Sequence, residues 1–196
     1  MGRVATPSWA AAATLAGVAV GLLAPGGTPP APHHTLAVSI FLQPSEPYVL
    51  IPVVAIVAGV CAWRRWWDRL ALCLLGSTVP VALNTWVLKP LFDHRLKGDL
   101  AYPSGHTVSL VSVLAVLVIL IRRVLVAVLA VAVTVVGGIG LVGAGYHYPA
   151  DVAGGACFAV AAVLMIAWAL RRARAPSAGS PRGGTSSGNP PAASPR

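Results

Sequence analysis

Charge is what this chain has least of. Five of its 196 residues are acidic and 14 are Lys or Arg, so 10% are charged, against roughly 25% in an ordinary water-soluble domain. That shortage excludes a large solvated surface. Cysteine is scarcer still: Cys61, Cys73 and Cys157 each sit inside an apolar run without metal-type spacing, which argues against a disulfide framework and a zinc site. There is no internal repeat of useful length. What remains is hydrocarbon, with 57% of the residues apolar, and a bilayer accounts for that imbalance better than a large water-soluble core. The formal charge of +9 would suit nucleic acid if the basic residues were clustered. They are scattered at the edges of apolar runs, where headgroup attraction and topology setting are the better readings, and no nucleic-acid partner is expected.

Six apolar runs follow one another, at about residues 9–24, 48–63, 70–88, 104–121, 124–146 and 150–170. Each is long enough to cross, or nearly cross, a bilayer as a helix. The reading is an all-α, polytopic six-helix transmembrane bundle over residues 1–174. The Ser-, Gly-, Pro- and Ala-rich stretch 175–196 is too poor in apolar residues to fold and reads as a disordered tail. The first run also has features of a signal peptide, but about 17 residues suit an uncleaved span better. Residues 26–47 read as a Pro/Gly-rich loop, where the pair His33-His34 has no third ligand nearby. Trp63, Trp66 and Trp67 beside arginines read as an interfacial anchor. Gly138-Ile-Gly140-Leu-Val-Gly143 matches a dinucleotide-binding pattern but lies inside a span with no preceding strand, so close helix packing is the better reading.

Charge sets the orientation. One set of loops and ends carries eleven arginines; the other holds only Lys89, Arg95 and Lys97. That asymmetry puts both termini in the cytoplasm and all five histidines on the outer side of a cell membrane.

Three polar clusters lie at run ends on that outer side: Lys89-Pro-Leu-Phe-Asp93-His94-Arg95, Pro103-Ser104-Gly105-His106 and His147-Tyr-Pro-Ala-Asp151. Ser104 follows a proline and opens a helix, an N-cap position, which leaves the amides beyond it free for an anion at the positive end of the dipole. Pro149 suits a first helical turn, so Asp151 lies near a helix N-terminus, four residues from His147. A carboxylate there can orient His147 through Nδ1 and leave Nε2 free as nucleophile or base. Each cluster alone also fits a helix start, a structural His–Asp pair or snorkelling cations. Together they supply what phosphoryl transfer needs: positive groups, an in-line nucleophile and an acid for the leaving oxygen.

The order Lys…Arg, Pro-Ser-Gly-His, His-x-x-x-Asp resembles the type 2 phosphatidic acid phosphatase (PAP2) superfamily, over roughly residues 84–155. The resemblance implies a lipid phosphatase in which His147 attacks phosphorus to form a phosphohistidine, Asp151 orients it and His106 protonates the leaving group. Lys89, Arg95 or Lys97, Ser104 and Gly105 would hold the phosphate oxygens. It implies no metal and no cofactor, and a lipid phosphate or diphosphate as the substrate partner. Two positions depart from the family pattern. In the first motif Arg95 stands one residue early and lacks its proline, with Lys97 as a possible stand-in; in the third, Gly140-Leu141 replaces Ser-Arg. A non-catalytic lipid-phosphate-binding or scaffold relative is the alternative that Leu141 keeps open.

Overall fold

The computed structural model describes residues 7–23, 35–92, 95–96, 99–100 and 102–174. The tail 175–196, His33-His34, Asp93 and Lys97 lie outside the described residues, and Arg95 is described in its backbone alone. In chain order the helices are α1 (Pro7–Leu23), α2 (Leu36–Leu42), α3 (Pro47–Trp63), α4 (Trp67–Leu83), α5 (Lys89–Phe92), α6 (Gly105–Ile121), α7 (Val124–Gly143) and α8 (Pro149–Arg172). A 3₁₀ turn, Gln43–Ser45, joins α2 to α3, and a π-turn, Asn84–Leu88, joins α4 to α5. Between α5 and α6 two short strands, β1 (Arg95–Leu96) and β2 (Asp99–Leu100), pair antiparallel with Arg95 opposite Leu100.

Four helical stretches are long and apolar enough to cross a membrane: Leu36–Trp63, Trp67–Phe92, Val124–Gly143 and Pro149–Arg172. Ala10–Val20 and Gly105–Ile121 are shorter apolar helices. α7 shows why helix is the outcome. Its valine-rich sequence is a mediocre helix former in water, but hydrocarbon offers no partner for backbone N–H and C=O groups, and a helix satisfies them internally. Val124, Leu125, Val128, Leu129, Val131 and Val135 face outward from it. An apolar exterior on that scale belongs against lipid, and the protein is a multi-pass membrane protein.

α6 is the central helix, packed on α4, α7 and α8, while α1 lies along α8 and α2 along α7. Its inward residues join three core clusters: Leu110 and Val113 meet Leu50 of α3, Val116 meets Cys73 and Val163, and Val108 and Val111 meet Ala159. At one end of the bundle Arg64 lies 5.4 Å from the Trp63 ring centroid, and Arg69 lies 4.2 Å from that of Trp66. Such cation–π contacts suit a headgroup-level anchor.

Two features differ from the expectation. The 26–47 loop contains α2, started by Thr35, whose hydroxyl accepts from the Val38 N–H at 3.3 Å. A Cβ on Gly140 of α7 would lie 2.8 Å from the Phe41 carbonyl carbon, so the glycine allows α2 to dock on α7. The prolines and glycines before it obscured a short apolar helix that is held by packing. The third run is also longer than 70–88: it starts at Trp67 and continues through the π-turn into α5. Asp68 in its first turn favours that earlier start.

Candidate active site

The N-termini of α6 and α8 meet at the end of the bundle remote from the Trp–Arg anchor. Ser104 caps α6. Its hydroxyl oxygen accepts from the Thr107 N–H at 3.3 Å and from the Thr107 hydroxyl at 3.1 Å. The Ser104 N–H donates to the Asp151 carbonyl at 3.1 Å, tying the first turn of α6 to that of α8. The two backbones come this close because Gly155 carries no side chain: a Cβ there would lie 3.0 Å from the Ser104 carbonyl oxygen. Ser104 is fully buried and does not line the cavity described below. Its part in the geometry is to aim the turn that Gly105 and His106 present.

Asp151 is also fully buried. Its Oδ2 accepts from the Tyr148 N–H at 2.9 Å, the reciprocal cap of α8, and lies 3.7 Å from Nδ1 of His147. That separation is too long for a hydrogen bond. Nδ1 of His147 is buried on the Asp151 side, so Nε2 is the nitrogen left to face the cavity. The His106 ring stands across from it, with centroids 6.1 Å apart and planes at 64°.

Lys89, Gly105, His106 and His147 all line one cavity of about 990 Å³. The remaining wall is mostly apolar, with Leu50, Ile51, Val54 and Ala58 of α3 and Leu74 and Val81 of α4. From Pro47 to Ala58 the lining runs eleven residues along α3, roughly 16 Å at helical rise. A polar head thus opens into a long apolar groove. Lys89 is the only Lys or Arg among the described residues in this lining, and a Cβ on Gly105 would lie 4.0 Å from its Nζ. Glu46, Lys89 and His147 are the charged or titratable groups whose fields reach His106.

A family model for the PAP2 superfamily matches residues 11–175. The chain belongs to the PAP2 superfamily. A solved structure described as the first transmembrane PAP2-type phosphatidylglycerolphosphate phosphatase, from Bacillus subtilis, is similar in fold. The identity is 22% and the TM-score 0.58, covering 86% of this chain and 89% of that one. No curated protein matches this chain significantly.

Against the PAP2 pattern, Leu141 is 1% exposed in α7. It therefore fills core where the third motif carries arginine. Arg122 stands at the far end of α6 and lines a different pocket, with Arg69 and Arg171, so it supplies nothing here.

Asn84 went unassigned in the sequence. It is fully buried, and its Nδ2 donates to the Pro103 carbonyl at 3.4 Å, bracing the turn before Ser104. Nδ2 also lies 3.9 Å from the Cβ position of Gly105. The Lys89 N–H donates to the Asn84 carbonyl across the π-turn. At α-helical spacing residues five apart point about 140° from each other; the wider turn brings Asn84 and Lys89 to the same corner. The available signal was an amide inside an apolar run, a functional candidate by default in a membrane span. Tyr102, also unassigned, is buried and donates its hydroxyl to the Gly17 carbonyl, locking α1 onto the same turn.

Proposed function

We propose that the protein is a metal-independent lipid phosphatase that hydrolyses a lipid phosphate or diphosphate through a phosphohistidine. The observation that carries this reading is one cavity with two facing histidines and a lysine at its head and apolar helix faces along its length. The phosphate sits at the head, held by the Lys89 ammonium and the first amides of α6, and the hydrocarbon chain lies in the groove. Nε2 of His147 attacks phosphorus; the P–O bond to the lipid breaks as the N–P bond forms, and His106 gives its proton to the leaving oxygen. Water then attacks the phosphohistidine, His106 takes the water proton, and inorganic phosphate leaves with His147 restored. Asp151 beside Nδ1 stabilises the positive charge that develops on the ring.

Arg95 and Lys97, which follow α5 in the chain, are proposed as further phosphate contacts, and Ser104 acts through its cap. The charge asymmetry supports a reading with this head at the outer leaflet and both termini in the cytoplasm; the six long helices are proposed to cross the membrane together as one domain, residues 1–174. Leu141 favours a second reading, a relative that binds lipid phosphate without turning it over.

Phosphate release by the purified protein in detergent with chelator present separates the two readings. The panel is phosphatidic acid, phosphatidylglycerophosphate, a polyprenyl diphosphate and a soluble monoester. Release from a lipid member and little from the soluble one is expected. A folded sample that releases nothing but retains a lipid phosphate makes the binding reading correct. Gly105→Ala gives a finer check. The protein has room for the methyl, with nothing nearer than 3.9 Å, so its melting temperature is expected to stay unchanged. The methyl intrudes where the phosphate would lie, and misplacement of the reacting group costs release roughly 10- to 100-fold.

A further inference from the structure

A second pocket lies at the end of the bundle opposite the histidines. It has a volume of about 200 Å³, and its wall comes from the start of α4, the end of α6 and the end of α8. Arg69, Arg122, Arg171 and Arg174 line it with one carboxylate, Asp68. Four cations less one anion leave a local excess of +3. Asp68 is in contact with Arg174, and Arg69 stacks over Trp66 at 4.2 Å. Arg122 and Arg171 have no carboxylate partner among the described residues.

The C-terminal carbonyls of α6 and α8 account for part of this gathering, since a helix end favours cations. Partial charges of that size leave most of the excess in place. Arg122 holds its place with φ 58, the left-handed conformation that ends α6. The floor is apolar, with Leu72 and Ala167 buried. Drug-sized ligands occupy roughly 300–1,000 Å³, so this pocket is of headgroup size. Guanidinium groups match phosphate oxygens two at a time, and an apolar floor at the end of spanning helices suits the glycerol and first methylenes beneath a headgroup.

We propose that this pocket binds the phosphate headgroup of an anionic phospholipid, in the leaflet opposite the histidine cavity. The site is independent of any turnover at the histidines. Basic pockets between helices at a membrane surface gain roughly fivefold in affinity for anionic lipid per arginine.

The test is native mass spectrometry of the full chain released from detergent after incubation with equal amounts of dioleoylphosphatidylglycerol and dioleoylphosphatidylcholine. Wild type is expected to retain phosphatidylglycerol in preference. The Arg122→Asn/Arg171→Gln double variant is expected to lose that preference, by roughly 25-fold. Asp68→Asn frees Arg174 and is expected to tighten retention, a gain that misfolding cannot imitate; it decides the matter if the double variant does not fold. Equal retention of the two lipids by wild type, or a preference untouched by all three changes, overturns the proposal. So does millimolar inorganic phosphate that binds wild type by titration calorimetry as tightly as the lipid and depends on the same arginines, because the site would then be one for soluble phosphate.

Discussion

In the His147→Ala protein, phosphate release from the lipid substrate falls to background, a loss of about 10⁴-fold or more, as expected when a covalent nucleophile is removed. The wild-type protein, quenched in mid-turnover with radiolabelled lipid phosphate, carries an acid-labile, alkali-stable label, and the variant carries none. The geometry sets this expectation. Nδ1 is buried on the Asp151 side, which leaves Nε2 as the nitrogen that faces the cavity, and His106 stands 6.1 Å across from it between ring centroids. His106→Ala is expected to fall less, about 10²- to 10⁴-fold, because an acid assists the leaving group without bonding to phosphorus. In that variant, substrates with good leaving groups regain rate. Label that persists in His147→Ala would assign the nucleophile to another residue.

The second large effect is expected at Lys89. Lys89→Ala lowers kcat/KM by about 10³-fold, at the upper end of what removal of one charge-stabilising group costs. It sits at the upper end because Leu141 occupies the core position where the family pattern has arginine, and no other Lys or Arg among the described residues lines the cavity. Lys89→Arg keeps the charge and retains most of the activity. The helix loses little in either variant, since Lys89 is half-exposed at the start of α5. Steady-state kinetics beside a melting curve makes the check: equal melting temperatures with a small loss in Lys89→Ala would mean that Arg95 or Lys97 carries the phosphate instead.

Much of the fold is legible in the sequence. Long apolar runs separated by arginines leave a chain in lipid with few options other than helices, so the six long helices could be counted. Pro-Ser-Gly-His and Pro-Ala-Asp are local starts, written in a few residues, and α6 and α8 begin at them. α2 was not legible, because a seven-residue helix is marginal alone and is held by its seat on the α7 glycines. The π-turn was equally hidden. Its extra residue leaves no mark in an apolar pattern, yet it brings Asn84 and Lys89 to one corner.

The sequence by itself determined the medium, the number of long helices and which of their ends hold the polar clusters, because each of these depends on composition and on neighbours a few residues apart. Only the tertiary structure decided that the Ser104 cap is buried and does not line the cavity, that Asp151 spends one oxygen on Tyr148 while standing 3.7 Å from His147, and that the polar head opens into an apolar groove between α3 and α4. It likewise decided that arginines distant in the chain converge on a second pocket. The physical reason is the same in each case: where side chains from different helices meet depends on how closely those helices pack, and that is set by glycine contacts and core volumes that no single stretch of chain contains.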